Sequence, residues 1–275
     1  MYTTKKRPDI RKPFVANNHV YHRKGEQHMN IAVITGASSG LGKEFAKQLD
    51  ISLGHTNEIW LLGRNKAALN ELAESLRHKA RAIAIDLSEE KELRQFEEVL
   101  MIQNPRITVL VNCAGTGSYK PFPEQSRTEI EAMLQVNILA LTRMTSICLP
   151  YLKKGSRLLQ IASGAAFVPQ ANFAVYAASK AYVYSFSRAL TQELKERGVQ
   201  VTTVCPGPVD TPFLDRAYGD VSELNLIKKL TITEPACVVK KAINDCRCGK
   251  KVSVCGLPMK LLYLATQGIA DLSLL

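Results

Sequence analysis

A doubly wound α/β domain, with helices on both faces of one parallel sheet, is what the sequence predicts, and three observations predict it. From Asn30 onward, short apolar runs alternate with segments whose apolar residues recur every three or four positions. The runs are apolar almost throughout, as strands covered on both faces require. Residues suited to chemistry stand directly after them, where parallel sheets present the carboxyl ends of their strands to ligands.

In chain order the predicted strands are NIAVIT, EIWLLG, ARAIAID, ITVLVN, SRLLQIAS and VQVTTVC, with VSVCG at 252–256 as a further short one. Between them lie helical patterns such as Leu69, Leu72 and Leu76, and two long ones over 125–150 and 174–197. No linker rich in Pro, Gly or Ser and no internal repeat divides the chain, so one domain over 29–275 is expected. Ahead of it, residues 1–28 carry seven Lys or Arg against Asp9 and Glu26, a polar basic extension expected to be disordered.

That extension holds +5 of the net charge of +11 in a chain of 275 residues. The remaining excess is mild, with no basic stripe interleaved with aromatics, so nucleic acid is not an expected partner. No run of eighteen uncharged apolar residues predicts a membrane-spanning helix. Seven scattered cysteines and no export signal point to a reducing cytoplasm. His19, His22 and His28 lack ligand spacing, and Cys246 with Cys248 forms only a lone CxC, so no metal site is expected.

The first strand runs into GASSGLG, which places Gly36, Gly40 and Gly42 at a strand-to-helix turn. Glycines there let backbone approach a pyrophosphate, and the following helix offers free N–H groups and a positive dipole end. After the second strand, Gly63 and Arg64 stand where an acid would hydrogen-bond a ribose; an arginine fork instead fits a 2′-phosphate, which points to NADP(H). After the third, Asp86 is suited to an adenine amino group or to capping the helix before SEEKEL, and the two roles are compatible. After the fourth, NCAG ends the strand with Asn112, in itself a common turn former, while Gly115 lets the chain pass close to a ligand.

With LQVNILA, IASGAAF, YAASK and PGPVDT further on, residues 30–211 resemble the short-chain dehydrogenase/reductase family, whose fold is a Rossmann-type three-layer sandwich. Cys113 departs from the family's NNAG but leaves Asn112 in place. The resemblance implies NADP(H) held by Gly36, Ser38, Ser39, Gly40, Leu41, Gly42, Arg64, Asp86, Leu87, Asn112, Ala114, Gly115, Tyr176, Lys180, Pro206, Gly207, Val209 and Thr211, the last facing the carboxamide. It further implies a catalytic set of Asn137, Ser163, Tyr176 and Lys180, with Asn137 holding a water that relays protons to Lys180.

Spacing alone lets either Tyr176 or Tyr184 claim Lys180, since each is four residues away on a helix. The family's YxxxK pattern selects Tyr176. A phenol near pKa 10 needs roughly 4 kcal/mol of preferential phenolate stabilisation to reach about 7, and an adjacent ammonium is the expected source. Ser163 would hydrogen-bond the substrate oxygen.

Substrate choice is expected from about 208–231, where Phe213, Leu214, Tyr218, Leu224 and Leu226 suggest an apolar wall suited to a hydroxysteroid or a long-chain keto compound. The apolar end LPMKLLYLATQGIADLSLL has three readings: a pocket cap, a subunit contact or a peripheral membrane contact. The resemblance also implies a homodimer or homotetramer. The competing class is a regulator that binds NADPH without turnover.

Overall fold

A computed structural model describes residues 28–54, 56–219 and 231–272, with side chains to residue 266. Residues 1–27 of the basic extension, including His19 and His22, and Leu224 and Leu226 of the expected pocket wall lie outside the described residues. His28 is exposed, its Nδ1 2.9 Å from the Asn104 carbonyl.

Seven parallel strands form one sheet in the order β3-β2-β1-β4-β5-β6-β7, where β1 is Asn30–Thr35, β2 Glu58–Gly63, β3 Lys79–Ala84, β4 Arg106–Asn112, β5 Leu152–Ile161, β6 Gln200–Val204 and β7 Val252–Ser253. The order reverses between β1 and β4, which leaves a crevice at their carboxyl ends. Central β2 is buried throughout, whereas β3 at the edge is exposed at both ends. The apolar run at 156–163 marks only the second half of β5; its first half includes Lys153 and Lys154, which are exposed, so hydropathy hid it.

One face carries α1 (Gly40–Ser52), α2 (Lys66–Ser75) and the helix Pro235–Arg247, packed through Phe45, Leu49, Leu69, Leu72, Val239 and Ile243. The other carries α3 (Glu90–Gln103), the long helix made of α4 (Arg127–Leu134), a π-helical stretch Gln135–Ala140 and α5 (Leu141–Cys148), then α6 (Ala174–Glu193). Trp60, Phe96, Leu100, Met144 and Leu190 fill that layer. Each such fully buried side chain stabilises the fold by roughly 1.5–3 kcal/mol.

Local chemistry sets the helix ends. Asn65 Oδ1 accepts from Ala68 N at 3.1 Å to start α2. Ser126 and Glu129 form a capping box at α4. The stretch Arg127–Tyr151 is long and apolar enough by composition to cross a membrane, but Met133, Ala140, Met144 and Cys148 bury one side of it in this core.

Candidate active site

A cleft of about 880 Å³ opens where the strands end. At its β1 side the chain turns into α1. Gly36 adopts φ +67° and Gly40 φ +53°, backbone that other residues rarely take. A Cβ on Gly42 would lie 2.2 Å from the Gly36 carbonyl oxygen, so the turn closes only over glycine. The Ser39 side chain precedes α1 without accepting from its first N–H groups, and Gly40, Leu41 and Gly42 at the start of this 13-residue helix line the cleft. That cradle fits a pyrophosphate.

Thr35 organises the adjoining wall. Its Oγ1 accepts from Cys113 N at 2.9 Å and Ala114 N at 3.1 Å, pinning the segment after β4 to the end of β1. Leu87, Ala114 and Gly115 line the cleft there. Asn112 does not: it is 2 % exposed, and its Nδ2 donates to Thr145 Oγ1 and Gln160 Oε1, both at 3.0 Å. As the last residue of β4 its side chain points into a core layer, so its expected cofactor contact is corrected to a structural one.

Arg64 and Asp86 both line the cleft and form an ion pair at 3.9 Å, with the arginine side chain 80 % exposed. Burial pushes the Asp86 carboxyl up, but hydrogen bonds from Ser88 and the charge of Arg64 outweigh it and hold the pKa down. The helix-cap reading of Asp86 fails. Its Oδ1 accepts from Ser88 N and Oγ, a local turn, while α3 begins only at Glu90. Gly63 also lines the cleft, and a Cβ there would meet Ser38 Oγ at 3.3 Å.

Ser163, Tyr176 and Lys180 converge in the same cleft. Lys180 Nζ donates to Ile161 O at 2.9 Å, which fastens α6 to the end of β5 just before Ser163. The Nζ lies 5.7 Å from the Tyr176 ring centre. Tyr184 is turned away, edge-on to Phe167 with its hydroxyl accepting from Arg188, and the Tyr182 hydroxyl pairs with Thr142 on the outer surface. Geometry therefore answers what spacing left open.

The phenol itself departs from expectation. Burial raises the Tyr176 pKa above its usual value, a hydrogen bond with Ser163 lowers it, and Tyr218 raises it. Lys180, 5.7 Å from the ring centre, does not reverse this, and its own pKa is pushed down to about 8 by burial. Burial thus favours the protonated phenol at neutral pH.

Asn137 lies in the π-helical stretch, 0 % exposed. Its Nδ2 donates to Thr116 O at 2.9 Å and Ser179 Oγ at 3.0 Å, and its Oδ1 accepts from Thr116 N at 2.9 Å. A Cβ on Gly115 would sit 3.3 Å from that Oδ1 and 3.4 Å from Lys180 Nζ, so amide and ammonium flank one glycine. Both side-chain donors of Asn137 are committed to protein atoms.

Pro206, Gly207, Val209 and Thr211 line the cleft, the last in contact range of the Gly40 turn. Beyond them the walls are aromatic. Phe173 stacks on Tyr176 at 4.2 Å, Phe213 lies 5.6 Å from it, and Tyr218 packs against Phe173 and Tyr119. From the C-terminal helix Leu257–Leu272 come Pro258, Met259 and Leu262, with Met259 Sδ seated where Cβ atoms on Gly164 and Gly207 would be. Pro258, Met259 and Leu262 line the cleft as a pocket cap would, while Leu257, Leu261 and Leu264 of the same helix are exposed. Thr116, Gln170, Arg216 and Met259 were missed as individual lining residues. Arg216 had a signal, standing three residues after Phe213 and so near it on a helix, and Met259 fell within the stretch read as a possible pocket cap.

The short chain dehydrogenase family profile matches residues 30–220. An uncharacterized oxidoreductase of Staphylococcus epidermidis is 33% identical over 70% of this chain and 84% of its own length. Mouse 15-hydroxyprostaglandin dehydrogenase [NAD(+)] is 32% identical over 68% of this chain and 71% of its own. Among solved structures, a short-chain dehydrogenase from Sphingobium yanoikuyae in complex with NADPH superposes with a TM-score of 0.75 at 28% identity, covering 88% of this chain and 95% of that one.

Proposed function

The chain belongs to the short-chain dehydrogenase family and is an oxidoreductase, and from that premise we propose that it transfers hydride between NADP(H) and a ketone or secondary alcohol on an apolar body. The observation that carries this reading is the convergence of Ser163, Tyr176 and Lys180 in one cleft with an uncapped glycine-rich helix start.

A nicotinamide cofactor held by the Gly36–Gly42 turn, Arg64 and Thr211 would supply the hydride in reduction and accept it in oxidation. Ser163 donates a hydrogen bond to the substrate oxygen and stabilises charge growing there. Tyr176, kept protonated by burial, is the proton source for that oxygen in reduction and takes the proton back in oxidation. Lys180, with a pKa near 8, is still mostly charged at neutral pH and stabilises the phenolate left behind. Asn137 holds the Gly115–Thr116 backbone against α6 and so keeps these groups in register.

Preference for NADP(H) rests on Arg64. Its pairing with Asp86 is solvent-exposed, worth at most about 1 kcal/mol, so a 2′-phosphate can displace it at little cost. Aromatic and aliphatic walls favour a hydroxysteroid or long-chain keto compound, and the mouse relative's name, a dehydrogenase of a hydroxylated prostaglandin, supports that class. Leu134, Leu139 and Tyr182, exposed on the long helix and α6, offer the faces for a homodimer or homotetramer. Seven free cysteines suit a reducing cytoplasm.

A panel of apolar ketones followed at nicotinamide absorbance tests the reading. Turnover with NADPH is expected, with a drop of about 10³-fold in Tyr176→Phe while NADPH binding persists. Full turnover in that variant would exclude the acid role. Tight NADPH binding with no turnover of any ketone would favour the regulator.

A further inference from the structure

Four charged side chains line the cleft: Arg64, Asp86, Lys180 and Arg216. Three are committed. Arg64 pairs with Asp86, and Lys180 is buried with its ammonium bonded to Ile161 O. Arg216 is exposed at the rim and has no ion pair among the described residues. It rises from α7 (Pro212–Tyr218), the helix that also presents Phe213, Leu214 and Tyr218 to the cleft. Its neighbour Asp215 does not line the cleft.

A cleft that shares its apolar walls with a guanidinium lacking an ion pair among the described residues has the polarity of an amphiphile. A neutral hydrocarbon ketone would use the walls and leave the cation idle. A substrate with an apolar body and a terminal carboxylate would use both, through the planar fork that fits a carboxylate with two parallel hydrogen bonds. Resting on the dehydrogenase reading, we infer that Arg216 selects substrates in which the reacting carbonyl is carried on an apolar chain ending in a carboxylate. Gln170 also lines the cleft as a neutral polar side chain.

The test uses oxo fatty acids whose keto group lies from about four to about twelve carbons from the carboxylate, each paired with its methyl ester, so that walls and reacting group stay the same and only the charge changes. The acid should exceed its ester by about tenfold in kcat/KM at a preferred spacing, a preference that weakens as salt is raised. In Arg216→Gln the acid-to-ester ratio should fall to about one, and Arg216→Lys should retain part of it because charge survives without the fork. Equal rates for acid and ester at every spacing would overturn the inference while leaving the dehydrogenase reading standing. So would an Arg216→Gln variant whose only change is a higher KM for NADPH, since the guanidinium would then serve the cofactor. No turnover of any acid or ester with either NADPH or NADH would instead strike the dehydrogenase reading and take the inference with it.

Discussion

At the β1–α1 turn the cleft is built from backbone; around Tyr176 it is built from side chains gathered from distant segments. Gly36, Gly40 and Gly42 are consecutive features of one loop, and what they offer a ligand is N–H groups and close approach. Tyr119, Phe173, Phe213, Tyr218 and Met259 come from four separate segments of the chain and offer shape. A backbone site tolerates change everywhere except where a Cβ would collide. A side-chain site can be remodelled residue by residue. On the proposed reading, cofactor binding falls to the end built from backbone and substrate choice to the end built from side chains.

The sharpest break should come from Gly42→Ala, whose Cβ would meet backbone at 2.2 Å. A loss of about 3 kcal/mol in denaturant unfolding and at least tenfold weaker NADPH binding are expected. Gly54→Ala, with nothing within 4 Å, should change stability by less than about 0.5 kcal/mol and serves as its control.

Next comes Lys180, where the two ends meet. A lysine whose folded pKa is about 8 binds its proton more weakly than in the unfolded chain, so stability should rise as pH climbs from about 8 to about 10.4. Lys180→Met should abolish that rise and add on the order of 2 kcal/mol at pH 7, while turnover collapses. Thermal melts across pH beside kinetics would check both halves of that trade.

Arg64→Asp should weaken NADPH by about tenfold and NADH much less, read by titration with each cofactor. The smallest effect is expected at Met259→Ala. Emptying the notch between Gly164 and Gly207 should loosen the C-terminal helix by about 1 kcal/mol and raise KM for apolar ketones more than it lowers kcat.

Much of this was readable in the chain because its signals are local. A strand covered on both faces must be apolar, and a tight strand-to-helix turn must be glycine, so β1, β2 and the GASSGLG turn stand out at their true places. The first half of β5 did not, because exposed lysines there are tolerated near the sheet's end. Asn112 misled for a related reason: a strand-ending asparagine has two faces to choose from, and only the position of Thr145 and Gln160 decides for the core.

Sequence by itself determined the layered α/β architecture and the glycine turn, since periodicity and glycine geometry are properties of neighbouring residues, and the choice of Tyr176 as the partner of Lys180 came from the family pattern. Tertiary structure alone decided that Tyr184 faces away, that burial raises the phenol's pKa, that Asn137 clamps backbone, and that Met259 and Arg216 reach the cleft. Those outcomes depend on which surfaces meet across the sheet, and desolvation and contact are set by groups far away along the chain.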